Sequence, residues 1–288
     1  MRMKILSALS WIPDELMIPL QYKIHTGRWL NLKYPTRFTE KIQLYKLKYR
    51  NPLMLKCTDK YEVRNVVKDM GLERILISLI GVYDTIEEIN FKDLPDQFVA
   101  KTTDGGGGNQ VLICRDKKRL PQQDFYATIR EWLAMPKKKH VGREWAYENE
   151  FPRRILIERL LVNPNSNDLQ DFKFYCFDGT PAYCQVIEDR STEETIDFFD
   201  MDWNHMPFRG LNAKCKGANH KIARPEKFEE MKQIAAQMSK MFPFVRVDLY
   251  CNNGEISFGE LTFYPASGLG SFTPDEYDIK LGEMFKFP

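Results

Sequence analysis

Near the C-terminal end of this 288-residue chain, the stretch VRVDLY interleaves Arg246 and Asp248 with Val245, Val247 and Leu249. Period-2 strand geometry puts the arginine and the aspartate on one face and the aliphatic side chains on the other. The next segment, FGELTFYP, carries Glu260, and Asn253–Gly254 between the two segments reads as a hairpin turn. Asp248 and Glu260 are therefore expected as cross-strand neighbours. Two carboxylates so placed repel each other unless a cation lies between them. Mg²⁺ holding nucleotide phosphates would supply that cation. The plainer alternative is an Asp and a Glu on an edge strand in water.

A second stretch, QFVAKTTDGGGGNQ at 97–110, sets Lys101 just ahead of four consecutive glycines, Gly105, Gly106, Gly107 and Gly108. Glycines let backbone amides approach a ligand with no Cβ in the way and adopt positive φ freely. Between two strands, such a loop can cover phosphates with N–H donors, and Lys101 would add charge beside them. The pattern is neither a Walker A sequence nor GxGxxG, and a surface loop would explain the glycines as well. A third basic group, Arg190 in EDRSTEET, can bind an acidic substrate or pair with its neighbours Asp189 or Glu188. Asp200–Met201–Asp202 forms a DxD after IDFF, in a predicted turn.

These groups need elements to position them. Residues 1–55 read as helical: TEKIQLYKLKY has helical apolar spacing with Thr39 as its N-cap, and RNP at 50–52 breaks it. A second helix is expected from Asp59 to Gly71. LISLIGVY follows, and then QFVAKT and QVLIC read as strands flanking the glycine loop. A helix is expected near 122–135. RILIERLLV leads into a hairpin, DFKFYCFDGTPAYCQVIEDR, turning at Asp178–Gly179. A helix near 226–241 precedes the terminal hairpin. The fold class is α+β with mostly antiparallel strands. It divides into a helical segment 1–55, a glycine-loop portion 56–153 and a C-terminal portion 154–288.

Composition narrows the classes. With 42 basic and 40 acidic residues, the net charge of +2 gives no case for general nucleic-acid binding. The run KKKH at 137–140 reads as a solvated loop. No apolar run approaches the roughly 20 residues that span a bilayer. ILSALSWI follows two basic residues but is cut short by Pro13, Asp14 and Glu15. It reads as a helix or a membrane-surface contact rather than a secretion signal. Six cysteines without a CxxC or Cys/His cluster argue against zinc and disulfides. They suit reduced, mostly buried thiols in the cytoplasm.

Taken together, FTEKIQLYKLKYRNPL, TDKYEVRNVV, GVYDTIEEINFKDLPDQFVAKTTDGGGG, DFKFYCFDGTP and FPFVRVDLY…GEISFGELTFYPASG resemble the ATP-grasp superfamily. Within it they resemble the TupA-like family of teichuronopeptide and polysaccharide biosynthesis, from about Trp29 to the C-terminus. The resemblance implies two α+β subdomains with antiparallel sheets clasping ATP, preceded by a short helical segment. It implies Lys60, Lys101 and Lys173 at the phosphates, with Gly105 to Gly108 covering them. Glu158, Arg159, Leu160 and Leu161 match the hinge that meets adenine and ribose. Arg246 matches the arginine that faces the transferring phosphoryl group or the substrate carboxylate, and Asp248 and Glu260 match the metal ligands. The family's loop usually carries serine where this chain has glycine. A usual His and Arg beyond Arg190 are Glu194 and Ile196, and the usual asparagine ligand is Thr262. The short segment ahead of the core implies a shallow, open acceptor pocket.

The reading that follows is an ATP- and Mg²⁺-dependent carboxylate–amine ligase. It would work through an acyl phosphate on a uronic acid or other carboxylate of a cell-surface polysaccharide or lipid-linked precursor. A glycosyltransferase using the DxD, or an ATP-binding protein without turnover, are the alternatives.

Overall fold

A computed structural model of the protein describes residues 9, 11–106, 108, 110–136, 141–163, 168–211 and 215–287. Four helices come first: α1 (Asp14–Thr26), α2 (Phe38–Lys48), α3 (Leu53–Thr58) and α4 (Glu62–Asp69). The glycine loop lies between β2 (Phe98–Thr102) and β3 (Val111–Cys114), after β1 (Leu79–Tyr83). Then come α5 (Gln122–Ala134), β4 (Ile155–Arg159), β5 (Asp171–Phe177), β6 (Thr180–Glu188), β7 (Thr195–Phe199) and β8 (Arg209–Gly210). The chain continues through α6 (Phe228–Ser239), β9 (Phe244–Asn252), β10 (Glu255–Thr262), β11 (Phe272–Thr273) and α7 (Glu276–Met284).

Two antiparallel sheets carry the architecture. The first has the order β1-β4-β2-β3 and the second β10-β9-β5-β6-β7. β4, which the sequence reading groups with the C-terminal portion, pairs with β1 and β2 in the first sheet. Phe125, Ile129 and Trp132 recur at helical spacing on α5 and pack with Phe98, Ala100, Ile155 and Ile157 into the core of that sheet. The larger core lies around the second sheet, where α6 contributes Phe228, Met231, Ile234 and Met238. β5 is buried along all seven residues because β9 and β6 flank it and both faces are covered.

Both hairpins turn where expected. Asp178 and Gly179 have φ of 46° and 78°, and Asn253 and Gly254 have φ of 51° and 73°, the left-handed pair a two-residue hairpin needs. Two helix starts differ from expectation. α2 begins at Phe38, and Thr39 lies inside it rather than capping it. The Glu40 carboxylate accepts from the backbone N–H groups of Thr36 and Arg37 at the helix start. Thr39 instead gives its backbone N–H and its hydroxyl to Asp278 of α7, at 2.9 and 2.8 Å. Asp59 precedes α4 by three residues and accepts from the N–H groups of Tyr61 and Glu62.

Candidate active site

The two sheets face each other across a cleft of about 1140 Å³. Along β2, Lys101 alternates with the buried Ala100 and Thr102, so it leaves the α5 core and lines the cleft. Its ammonium lies 2.6 Å from Glu158 on the neighbouring strand β4. Arg64 of α4 holds the other oxygen of that carboxylate at 3.0 Å. Glu158 is thus occupied in fixing Lys101, with two cations offsetting the cost of burying its charge. Arg159, at the end of β4, is exposed and points to Glu255 at 3.8 Å. Arg159, Leu160 and Leu161 are not among the side chains that line the cleft.

Lys60 enters from the α3–α4 connection, whose backbone N–H is held by Thr103 O at 2.9 Å. Its ammonium donates to the carbonyl of Gly105 at the start of the glycine loop. Burial, aided by Lys101, pulls its pKa down to about 8 against the opposing pull of Glu260, Asp59 and Asp104. Gly105 and Gly106 line the cleft and Gly108 is exposed with φ of 77°. Gly107 and the KKKH run lie outside the described residues.

The opposite wall is the front face of the second sheet. Glu260 stands directly across from Asp248 in the β9–β10 register, with a bulge at Gly259. A Cβ on Gly259 would sit 3.0 Å from the Asp248 carbonyl, so a side chain there would crowd the bulge. Asp248 is buried, and Arg246 grips both its oxygens at 2.7 Å. Lys173 on β5 approaches the same carboxylate to 2.5 Å and Asp171 to 3.5 Å. Burial alone would raise the Asp248 pKa, but Arg246 and then Lys173 outweigh it and hold the group below the usual carboxylate range. Arg246 also donates to the Thr262 hydroxyl at 3.0 Å and comes within 3.5 Å of Glu260.

A ladder of alternating charge therefore crosses the sheet: Arg190, Asp171, Lys173, Asp248, Arg246, Glu260. Arg190 pairs with Asp171 at 2.6 Å and approaches Glu194, not Asp189 or Glu188 as its immediate neighbours suggested. Asp189, with φ of 53°, turns the chain after β6, and Arg190 reaches β5, where Asp171 is buried. Ile196 is a core residue of β7.

Arg246, Glu260 and Thr262 reach the cleft, whereas Lys173 and Asp248 lie beneath its wall. The donors are two carboxylates and a hydroxyl, the hard oxygen ligands that Mg²⁺ takes. No group of three or more His, Cys, Asp or Glu side chains able to hold a metal occurs among the described residues. The set fits a cation shared with nucleotide phosphates rather than a protein cage.

Arg64, Asp171 and Lys46 escaped the sequence reading. Asp171 could have been found, since it alternates with Lys173 in DFKFY. Lys46 lies in an apolar-patterned helix and gave no signal. Asp200 of the DxD uses its carboxylate to close the turn after β7, accepting from the N–H groups of Asp202 and Asn204. Neither aspartate lines the cleft.

The family model described as TupA-like ATPgrasp matches residues 40–286. The chain belongs to the TupA-like ATP-grasp family. Among solved structures it is similar to a D-alanine–D-alanine ligase from Bacillus anthracis, at 18% identity and a TM-score of 0.49, over 80% of this chain and 66% of that one. It is also similar to an N5-carboxyaminoimidazole synthetase from Staphylococcus aureus complexed with ADP. There the identity is 12% and the TM-score 0.46, over 87% of this chain and 56% of that one. The chain thus spans under two thirds of the length of either. Among curated proteins, none matches the sequence.

Proposed function

We propose that this TupA-like ATP-grasp protein is an ATP-dependent carboxylate–amine ligase. The observation that carries the reading is the pair of facing cleft walls. Lys60, Lys101 and the Gly105–Gly106 backbone lie on one side, and Arg246, Glu260 and Thr262 on the other. Phosphoryl transfer asks for positioning and charge neutralisation more than covalent help, and these groups supply both. A substrate carboxylate oxygen attacks the terminal phosphorus of ATP, ADP leaves, and an acyl phosphate results. An amine nitrogen then attacks the acyl carbon, phosphate departs, and the amide nitrogen loses its proton.

Lys60 and Lys101 would hold the transferring phosphates, and Gly105 to Gly108 would cover them with amides. The segment Glu158 to Leu161 would meet the nucleoside, with the Glu158 side chain devoted to Lys101. Arg246 faces the reacting phosphoryl group, and Lys173 keeps Asp248 charged beneath it. Glu260 and Thr262, with Asp248, would hold Mg²⁺, which when bound neutralises phosphate charge. Arg190 would take an acidic group of the acceptor at the far end of the ladder. A uronic acid or similar carboxylate of a cell-surface polysaccharide or its lipid-linked precursor suits the family, and the six free thiols suit the cytoplasm.

ADP release with Mg²⁺-ATP, measured against a matrix of amino acids and uronic-acid sugars, tests the reading. We expect release only with one amine–carboxylate pair, and a loss of at least 100-fold in Glu260→Gln. ATP hydrolysis indifferent to any added amine and carboxylate would sink it.

A further inference from the structure

Among the described residues, nothing covers the outer face of α1. Leu16, Leu20 and Ile24 recur four residues apart along it, and Trp11, Trp29 and Tyr34 flank it before and after the helix. These six side chains are 47–78% exposed. Of the large apolar side chains exposed elsewhere among the described residues, just one reaches that range, Ile113 at 53%. Isolated exposed apolar residues are ordinary, but a contiguous set marks a contact surface.

The helix is not a loosely held end. Its inner face buries Met17, Ile18, Gln21 and Tyr22. The Tyr22 hydroxyl meets Thr39 at 3.0 Å, and buried Arg143 grips the segment through Asp14 at 2.8 Å and the Ile12 carbonyl at 2.6 Å. The outward stripe is thus presented by a fixed helix.

The charges around the stripe indicate what covers it. Lys23 sits 5.3 Å above the Trp29 ring and Lys33 sits 5.2 Å above the Tyr34 ring. Aromatic rings with a lysine beside them, at the margin of an aliphatic stripe, match the headgroup depth of a bilayer. The rings sit among acyl and glycerol groups while the ammonium groups meet lipid phosphates. In the first turn, Asp14 is turned inward to Arg143, and Glu15 is the one acid exposed there, against Lys23, Arg28 and Lys33. No helix among the described residues is long and apolar enough to cross a membrane. A helix lying in the interface is therefore the fitting mode.

We propose that α1 and the loop through Tyr34 seat this protein on an anionic phospholipid surface. Gln21 and His25, on the same helix, line the cleft. The seated protein would open its cleft beside the headgroups. That last step, reach to a lipid-borne acceptor, rests on the ligase reading; the seating does not.

The test is sedimentation of the full chain, without ATP, with vesicles of phosphatidylcholine alone and of phosphatidylcholine with an equal share of phosphatidylglycerol. We expect binding to the anionic vesicles that weakens at high salt. It should fall at least tenfold in Leu16→Glu/Leu20→Glu/Ile24→Glu and in Trp29→Ala, with circular dichroism and melting unchanged. Equal binding by wild type and both variants would overturn the proposal, as would no sedimentation with either vesicle. A dimer in sedimentation velocity that these variants dissociate, with no vesicle binding, would reassign the face to a second copy. Because no readout is enzymatic, failure here leaves the ligase reading standing, and failure of that reading leaves the seating.

Discussion

At the residue scale, Lys60, which we propose as a phosphate contact, has an unusual position. Burial and the neighbouring Lys101 bring its pKa down to about 8, against about 10.4 for a solvated lysine. The free enzyme thus carries nearly all of this charge at pH 7, about half of it near pH 8, and loses the rest above. A bound phosphate favours the protonated amine, so it raises the pKa and adds affinity that declines once pH exceeds the free-enzyme value. We expect the Kd for ATP to be flat from pH 6.5 to 7.5 and to weaken up to roughly tenfold per unit above pH 8. Lys60→Arg should flatten the profile, because arginine does not titrate there. Calorimetric titration from pH 6.5 to 9.5 reads the difference directly. A profile equally steep in the arginine variant would remove Lys60 from the phosphate site.

At the element scale, the chain's local chemistry was legible and its long-range partners were not. The hairpins at Asp178–Gly179 and Asn253–Gly254 announce themselves because both turn residues are ones that tolerate positive φ. The facing of Asp248 and Glu260 followed from that turn and a period of two. Thr39 misled because its partner, Asp278, lies 239 residues away. Arg190 misled because Asp171, on another strand, outcompetes the acids beside it in sequence. α3 hid behind RNP: α2 stops at Lys48 and Pro52 stands as the N-cap of the next helix. Lys46 is the clearest case of a residue whose role needs the fold. It sits on α2, 2% exposed, and donates to Ser267 O, Ser267 Oγ and Gly142 O at 2.6, 2.8 and 2.9 Å. Ala266 and Ser267 there have φ of 45° and 58°. The lysine fixes a left-handed turn that forms part of the cleft wall. Lys46→Met would remove three hydrogen bonds to this turn, leaving Ser267 O to Gln43 Nε2 at 3.1 Å and Gly142 O to the Ser267 hydroxyl at 3.5 Å, and should cost on the order of 3 kcal/mol. Urea denaturation reads that loss, and a change below 0.5 kcal/mol would mean that the turn holds itself.

At the scale of the whole molecule, the two sheets have separate cores. Phe98, Phe125, Ile129 and Ile157 belong to one, and Phe174, Phe228, Val247 and Leu249 to the other. The cleft between them is lined by charges from both, and like-charged neighbours face each other there. Lys101 lowers the pKa of Lys60 on one wall, while Glu260 answers Arg246 on the other. A polyanion with its cation satisfies the two walls at once, so a nucleotide should draw the sheets together rather than dock on one of them. Its stabilising effect follows from mass action: at a concentration of 100 times Kd it adds about 2.7 kcal/mol. We expect a non-hydrolysable ATP analogue with Mg²⁺ to raise the melting temperature and to reduce the radius of gyration in small-angle scattering. Hydrogen exchange should slow in β2 and β4 of the first sheet together with β9 and β10 of the second. Glu260→Gln should retain protection of β2 and lose most of it in β10, because the cation link to the second wall is weakened. Protection confined to one sheet in the wild type, with an unchanged radius, would show that the walls act independently and that closure is no part of how this cleft works.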